Sequence, residues 1–278
     1  MERGGQEVTV VENAEQAKKD PSYLKALTEL VYQLADDDFI ISFRGAEWLG
    51  LAPHIEEDVA FSSITQNTMG HAVMFYELLE ELGEGNADVL AHERTLEQRR
   101  NGIYLEKRNG EGAYHEEPYY DWALAVVRNY FYETFKKIKM EAISTSSYKP
   151  LANVASKALM EQTYHLAHWK MWMNQLQHAT EDARERINSR IEEAWSEFED
   201  VLELGSYAND MLKHQLISSE DYLKEAWLKE VGVNIANPPE SPLGKKYGSG
   251  RNGVHTADLK QALQTFAEVY NSDKKAVW

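Results

Sequence analysis

The sequence predicts an all-α protein. Apolar residues recur at helical spacing through most of the chain. Seven prolines and sixteen glycines are few for 278 residues, and most fall where a helix could end. Residues suited to capping stand just ahead of several apolar stripes.

Asp20-Pro21 reads as an N-cap followed by proline at the first helical position. The stripe Leu24, Leu27, Leu30, Val31, Leu34, Ile40, Phe43 and Ala46 then predicts a first helix near residues 21–51, stopped by Pro53. A second helix runs from about Ile55 to Leu82 and ends at Gly83. Residues 84–117 are polar, with Asn101-Gly102 and Asn109-Gly110, and read as a long connection holding one short helix. Pro118 is expected to open a third helix reaching about Ala142. After a turn at Ser144–Lys149, Pro150 starts a fourth that reaches about Gln177. Thr180 caps a fifth to about Leu202, Ser219 a short one through Trp227, and Thr256 a last one through Leu259, Leu263 and Phe266. Residues 1–20 are expected to be a loose tail, and 21–278 a single domain with extra C-terminal helices.

The order is helix pair, long crossover, helix pair, which is the ferritin-like four-helix layout. Periodicity alone leaves a cytokine-type bundle or a solenoid open, and no repeat of solenoid length is visible. The core residues provide a further argument. A carboxylate-bridged di-iron bundle takes one carboxylate from each of two helices and an ExxH from each of the other two. The i, i+3 spacing puts both ligands on one helical face. In chain order the sequence supplies Glu47, then Thr68 and His71, then Glu133, then Gln162 and His165. The two pairs therefore read TxxH and QxxH. Threonine and glutamine bring no negative charge, so two adjacent metal ions would be under-neutralised. A single metal on Glu47, His71, Glu133 and His165 is one reading. A metal-free network of the same side chains is the other, and it is favoured here.

Composition narrows the function classes. A net charge of −17 disfavours nucleic acid and anionic lipid as partners. No apolar run is long enough to span a bilayer. The first twenty residues lack a signal-peptide core, so a cytoplasmic location is expected. Without cysteine there are no disulfides, thiolate metal sites or cysteine nucleophile.

The stretches FRGAEWLGLAPHIEEDVAFSSITQNTMGHA, MEQTYHLAHW and GVHTADLKQALQTFAEVYNSDKKAVW resemble the C subunits of multicomponent phenylacetyl-CoA 1,2-epoxidases. The resemblance runs from about Leu27 to Trp278, and Gly253-Val254-His255-Thr256 with the closing tryptophan is its most specific part. It implies a ferritin-like, non-catalytic subunit that supports a catalytic di-iron A subunit, alongside other subunits of a monooxygenase complex acting in phenylacetate catabolism. Iron would then lie in the partner, and this chain would hold no cofactor. Motifs of the A subunit align with Gln66–His71 and Glu161–His165. This chain has Thr68 and Gln162 at the ligand positions but keeps both histidines. The alternative is a metal-binding ferritin-like oxygenase in its own right.

Gly244 to Gly253 is a basic island in an acidic chain, and it contains no phosphate-loop motif. Lys245, Lys246 and Arg251 there are candidate contacts for a partner or for CoA phosphates, with an ordinary solvated loop as the alternative. His165, His168, Trp169 and Trp172 form a group that suits a core or an interface. Glu56, Glu57 and Asp58 are expected to be a solvated first-turn cap. Tyr119 and Tyr120 suit an interface without locating one.

Overall fold

The computed structural model describes residues 10–113, 116–273 and 276. Four long helices make the core: α1 (Pro21–Ala46), α2 (Ile55–Leu82), α3 (Trp122–Ile143) and α4 (Lys149–His178). The side chain of Asp20 accepts from the Ser22 and Tyr23 amides and starts α1. Gly83, at φ 94°, ends α2 in the left-handed conformation that glycine adopts without penalty. Three further helices follow: α5 (Glu181–Glu197), α6 (Glu220–Gly232) and α7 (Ala257–Phe266).

Side-chain contacts fix the layout. Asp36 bonds Tyr76 and Gly45 lies against Thr65, so α1 and α2 are antiparallel. Glu57 meets Trp172 while His71 meets Glu161, so α2 and α4 are antiparallel as well. Gln162 bonds Glu133 and Trp122 packs on Trp172, which sets α3 antiparallel to α4. Helix α3 therefore runs parallel to α2. The connection between them must return along the bundle, roughly 40 Å for the 28 residues of α2. This is the ferritin-like arrangement, and it is why the crossover is long.

Helix α1 is buried on nearly all faces from Tyr23 to Gly45, including three consecutive aspartates. A helix rotates about 100° per residue, so Asp36, Asp37 and Asp38 point in three directions and each needs its own partner. Asp36 faces the crossover and accepts from Arg94, Arg99, Tyr76 and the Arg100 amide. Asp37 faces the C-terminal region and accepts from both terminal nitrogens of Arg251 at 2.7 and 2.9 Å. Asp38 faces the bundle interior.

Several expectations are corrected. Helix α1 stops at Ala46, because the chain turns through Glu47 to Gly50, which has φ 79°. Pro118 opens no helix. It lies in β2 (Glu116–Tyr120), which pairs antiparallel with β1 (Gly110–Ala113), and Asp121 caps α3 instead. The stretch from Val10 to Asp20 is docked: the Val11 amide donates to Ser147 O at 2.8 Å, Val11 O accepts from the Lys149 amide, and Ala17 is buried. Residues 1–9 of the expected tail, and Trp278, lie outside the described residues.

Candidate functional site

Five of the six expected ligand positions come together in the interior between the four helices. Thr68, His71, Glu133, Gln162 and His165 are all buried. The amide of Gln162 donates to the Glu133 carboxylate and, at 3.2 Å, to the Glu133 carbonyl. His165 Nδ1 stands 3.7 Å from Glu133 Oε2, an ion-pair distance too long for a hydrogen bond. Burial pushes the Glu133 carboxyl up, but His165, Lys136 and Gln162 outweigh it and hold the group below its ordinary value.

Glu47 is not among them. The α1–α2 register puts it about two turns, or roughly 10 Å along the helix, beyond the level of His71. Its carboxylate accepts from Arg44 at 3.1 and 3.2 Å and from Asn109 at 2.8 Å. There it lines a surface cleft of about 480 Å³ with Phe43, Arg108 and Tyr120. The carboxylate that α1 sends inward is Asp38. The sequence carried a sign of this, since the acidic triplet 36–38 interrupts an otherwise apolar stripe.

The residue missed altogether is Lys136, three positions after Glu133 on α3. The pair keeps the i, i+3 spacing of a ligand motif with a cation in the second place. Lys136 is buried and its ammonium lies 2.8 Å from Asp38 Oδ1 and 2.9 Å from His71 Nδ1. An ammonium can only donate, so His71 Nδ1 is the acceptor. Nε2–H then donates to Glu161 at 2.9 Å. Burial, followed by the Lys136 charge, lowers His71 to about 2. Its imidazole is therefore neutral across the physiological range. Tyr132 donates to the same Asp38 oxygen at 2.6 Å. Burial nonetheless keeps the Asp38 carboxyl above its ordinary value despite Lys136.

These residues fit a di-metal centre poorly. Two buried carboxylates remain, Asp38 and Glu133, with Glu161 half-exposed on the far nitrogen of His71, and a lysine cation takes up both the Asp38 charge and the His71 lone pair. A metal ion beside that ammonium would meet like-charge repulsion in a low-dielectric interior. Among the described residues no group of three or more Asp, Glu or His side chains is arranged to hold a metal ion. Asp38 Oδ2, Thr68 Oγ1, Gln162 Oε1 and His165 Nδ1 are buried without hydrogen-bond partners.

The other expected contacts separate. Arg251 is buried and is no phosphate ligand: besides Asp37, its guanidinium donates to the carbonyls of Val201, Arg100 and Glu203. Lys245 and Lys246 remain at the surface, paired with Glu203 at 2.5 Å and Glu197 at 3.3 Å. Glu57 is no solvated cap, because it is buried and accepts from Trp172 at 2.6 Å and pairs with His168 at 2.9 Å. Glu56 is exposed, as expected of a cap residue, and Tyr119 is exposed on β2.

A ferritin-like bundle with a lysine-neutralised polar centre is the class these features define. A family model described as phenylacetic acid catabolic protein matches residues 7–278, and the chain belongs to that family. It is also similar to the C subunit of the Escherichia coli (strain K12) 1,2-phenylacetyl-CoA epoxidase, at 27% identity over 245 residues, covering 86% of this chain and 94% of the relative. No helix among the described residues is long and apolar enough to cross a membrane.

Proposed function

We propose that this chain is the non-catalytic, ferritin-like subunit of a phenylacetyl-CoA epoxidase complex. It binds and supports a catalytic di-iron subunit and carries no working metal site of its own. Family membership and the similarity to a C subunit support its place in such a complex. The observation that carries the non-catalytic part is Lys136, whose ammonium stands between Asp38 and His71. A cation on the protein takes the charge and the lone pair that a metal would need. The competing reading, a metal enzyme on Glu47, His71, Glu133 and His165, loses Glu47 to Arg44 and Asn109.

The test combines metal analysis with co-purification. The chain purified alone should hold less than about a tenth of an equivalent of iron or manganese and should not turn over phenylacetyl-CoA. Co-expressed with the di-iron subunit, it should elute as one complex whose iron follows that subunit. Stoichiometric metal in the isolated chain, lost in His71→Ala, would sink the reading.

A further inference from the structure

The sequence holds three Asn-Gly dipeptides, at residues 101–102, 109–110 and 252–253. In such a pair the glycine nitrogen can attack the asparagine side-chain carbonyl, because no side chain shields it and the glycine backbone turns freely. The fold locks two of the three. Asn101 and Asn109 are both buried. Asn101 donates to Gly102 O and to Glu106, each at 3.2 Å, and Asp37 holds the Gly102 amide at 2.9 Å. Asn109 donates to Arg44 O and to Glu47, each at 2.8 Å, and accepts from Arg128, so both ends of its side-chain amide are fixed.

Asn252 differs on each count. It is exposed, at the end of a single turn (Gly250–Asn252) in the segment that carries Arg251. Among the described residues its side chain is held only through its oxygen, by the Ser206 hydroxyl at 2.6 Å. A donor on that oxygen draws electrons from the carbonyl carbon and stabilises the negative charge that develops under attack. The nucleophile, the Gly253 nitrogen, donates to Gly250 O at 2.9 Å, a bond of one short turn that local opening releases. Position 253 must also stay glycine. Its φ is 79°, and a Cβ there would stand 2.5 Å from Glu97 O, so the fold itself requires the residue that makes its neighbour labile. We propose that Asn252 is a self-modification site assisted by Ser206. The Gly253 nitrogen gives its proton to solvent base and bonds to Asn252 Cγ. The Cγ–Nδ2 bond breaks, and ammonia leaves with a proton from water, which gives a cyclic imide. Water then opens the ring at either carbonyl and leaves aspartate or isoaspartate, with no oxidant or reductant required. Isoaspartate routes the main chain through Cγ and so adds one carbon to it. The added length falls between Arg251, which pairs with Asp37 at 2.7 and 2.9 Å, and His255, which bonds Glu106 at 2.6 Å. Modification at 252 thus loosens the attachment of the C-terminal segment to α1 and the crossover.

The test ages the full-length chain at pH 8 and reads deamidation by peptide mapping, with isoaspartate detected by enzymatic methyl transfer. Residue 252 should convert at least about tenfold faster than residues 101 and 109, with isoaspartate outnumbering aspartate. Asn252→Gln should abolish the conversion, because its longer side chain closes the ring far more slowly, and Ser206→Ala should slow it several-fold. Both positions are exposed, so both variants should keep the parent melting temperature. The aged, isoaspartate-rich fraction should be cleaved by protease within 237–256 several-fold faster than Asn252→Asp, which gains the charge without the longer backbone. Equal conversion at the three asparagines, or none at 252 while the urea-unfolded chain converts there, overturns the site. A Ser206→Ala rate that is unchanged or faster overturns the role of the hydroxyl. Equal cleavage of the aged fraction and Asn252→Asp overturns the link to Arg251.

Discussion

Replacing Lys136 with methionine removes the cation at the bundle centre and keeps the bulk. At 2.8 Å from Asp38 and an effective dielectric constant near 20, the pair attracts by about 6 kcal/mol. Desolvating two ions costs a comparable amount, so the intact pair contributes little net stability. Lys136→Met removes the attraction and leaves the Asp38 carboxylate buried with only the Tyr132 hydroxyl, a loss of about 3–5 kcal/mol. With about 2.1 cal/mol/K of unfolding entropy per residue over 278 residues, the melting temperature should fall by roughly 5–9 °C. The Asp38 carboxyl already lies above its ordinary value, and losing the lysine raises it further. A raised carboxyl contributes stability below its unfolded value that is lost as pH climbs through the folded value. The variant should therefore be hurt most at pH 8 and least near pH 5. The double substitution Asp38→Asn with Lys136→Met should recover to within about 1 kcal/mol of the parent. Urea denaturation of the parent and the two variants at both pH values measures this. A single variant less than 1 kcal/mol below the parent at pH 8, or a double variant no better than the single, would refute the reasoning.

The other two buried aspartates of the triplet allow similar tests. Arg251→Met leaves Asp37 with the Gly102 amide at 2.9 Å and a more distant Lys139 at 3.6 Å. It should cost about 3–5 kcal/mol and open the 237–256 segment to limited proteolysis, and Arg251→Lys should restore only part because lysine lacks the two-pronged geometry. Burial would raise the Asp36 carboxyl, but Arg94 and Arg99 outweigh it and hold the group below its ordinary 3.8. Its stabilising contribution is present above that value and lost as pH falls through the lower, folded one. Asp36→Asn should therefore weaken the protein at pH 7 and flatten its loss of stability between pH 4 and 3, as read from urea midpoints.

Helix periodicity made the long elements legible, and caps such as Asp20, Gly83 and Thr180 gave their ends to within a few residues. The 29-residue spacing of Glu133 and Gln162 suits two positions level across a helical hairpin, and the two side chains do meet. Glu47 failed because spacing alone does not show which carboxylate of a helix faces inward. That depends on the register with the neighbouring helix, and Asp38 is the one in phase. Lys136 stayed hidden because a cation at ligand spacing matches no ligand pattern. Pro118 misled because its fixed backbone angle suits an edge strand as well as a first helical turn. Arg251 looked like a surface cation in a flexible loop, and its partner, Asp37, lies 214 positions away in sequence.

That last separation has a consequence for how the chain is made. The first long helix carries three carboxylates that belong inside the protein, and the arginine that neutralises the middle one is synthesised 214 residues later. During translation Asp36 and Asp38 meet Arg94, Arg99 and Lys136 as soon as residue 136 is made, whereas Asp37 has no arginine partner until residue 251 has been made. Of the three carboxylates, the middle one is thus the last whose charged partner is made. A chain ended before residue 251 would keep the Asp37 carboxylate with only the Gly102 amide and the more distant Lys139 as partners, a buried charge left largely uncompensated.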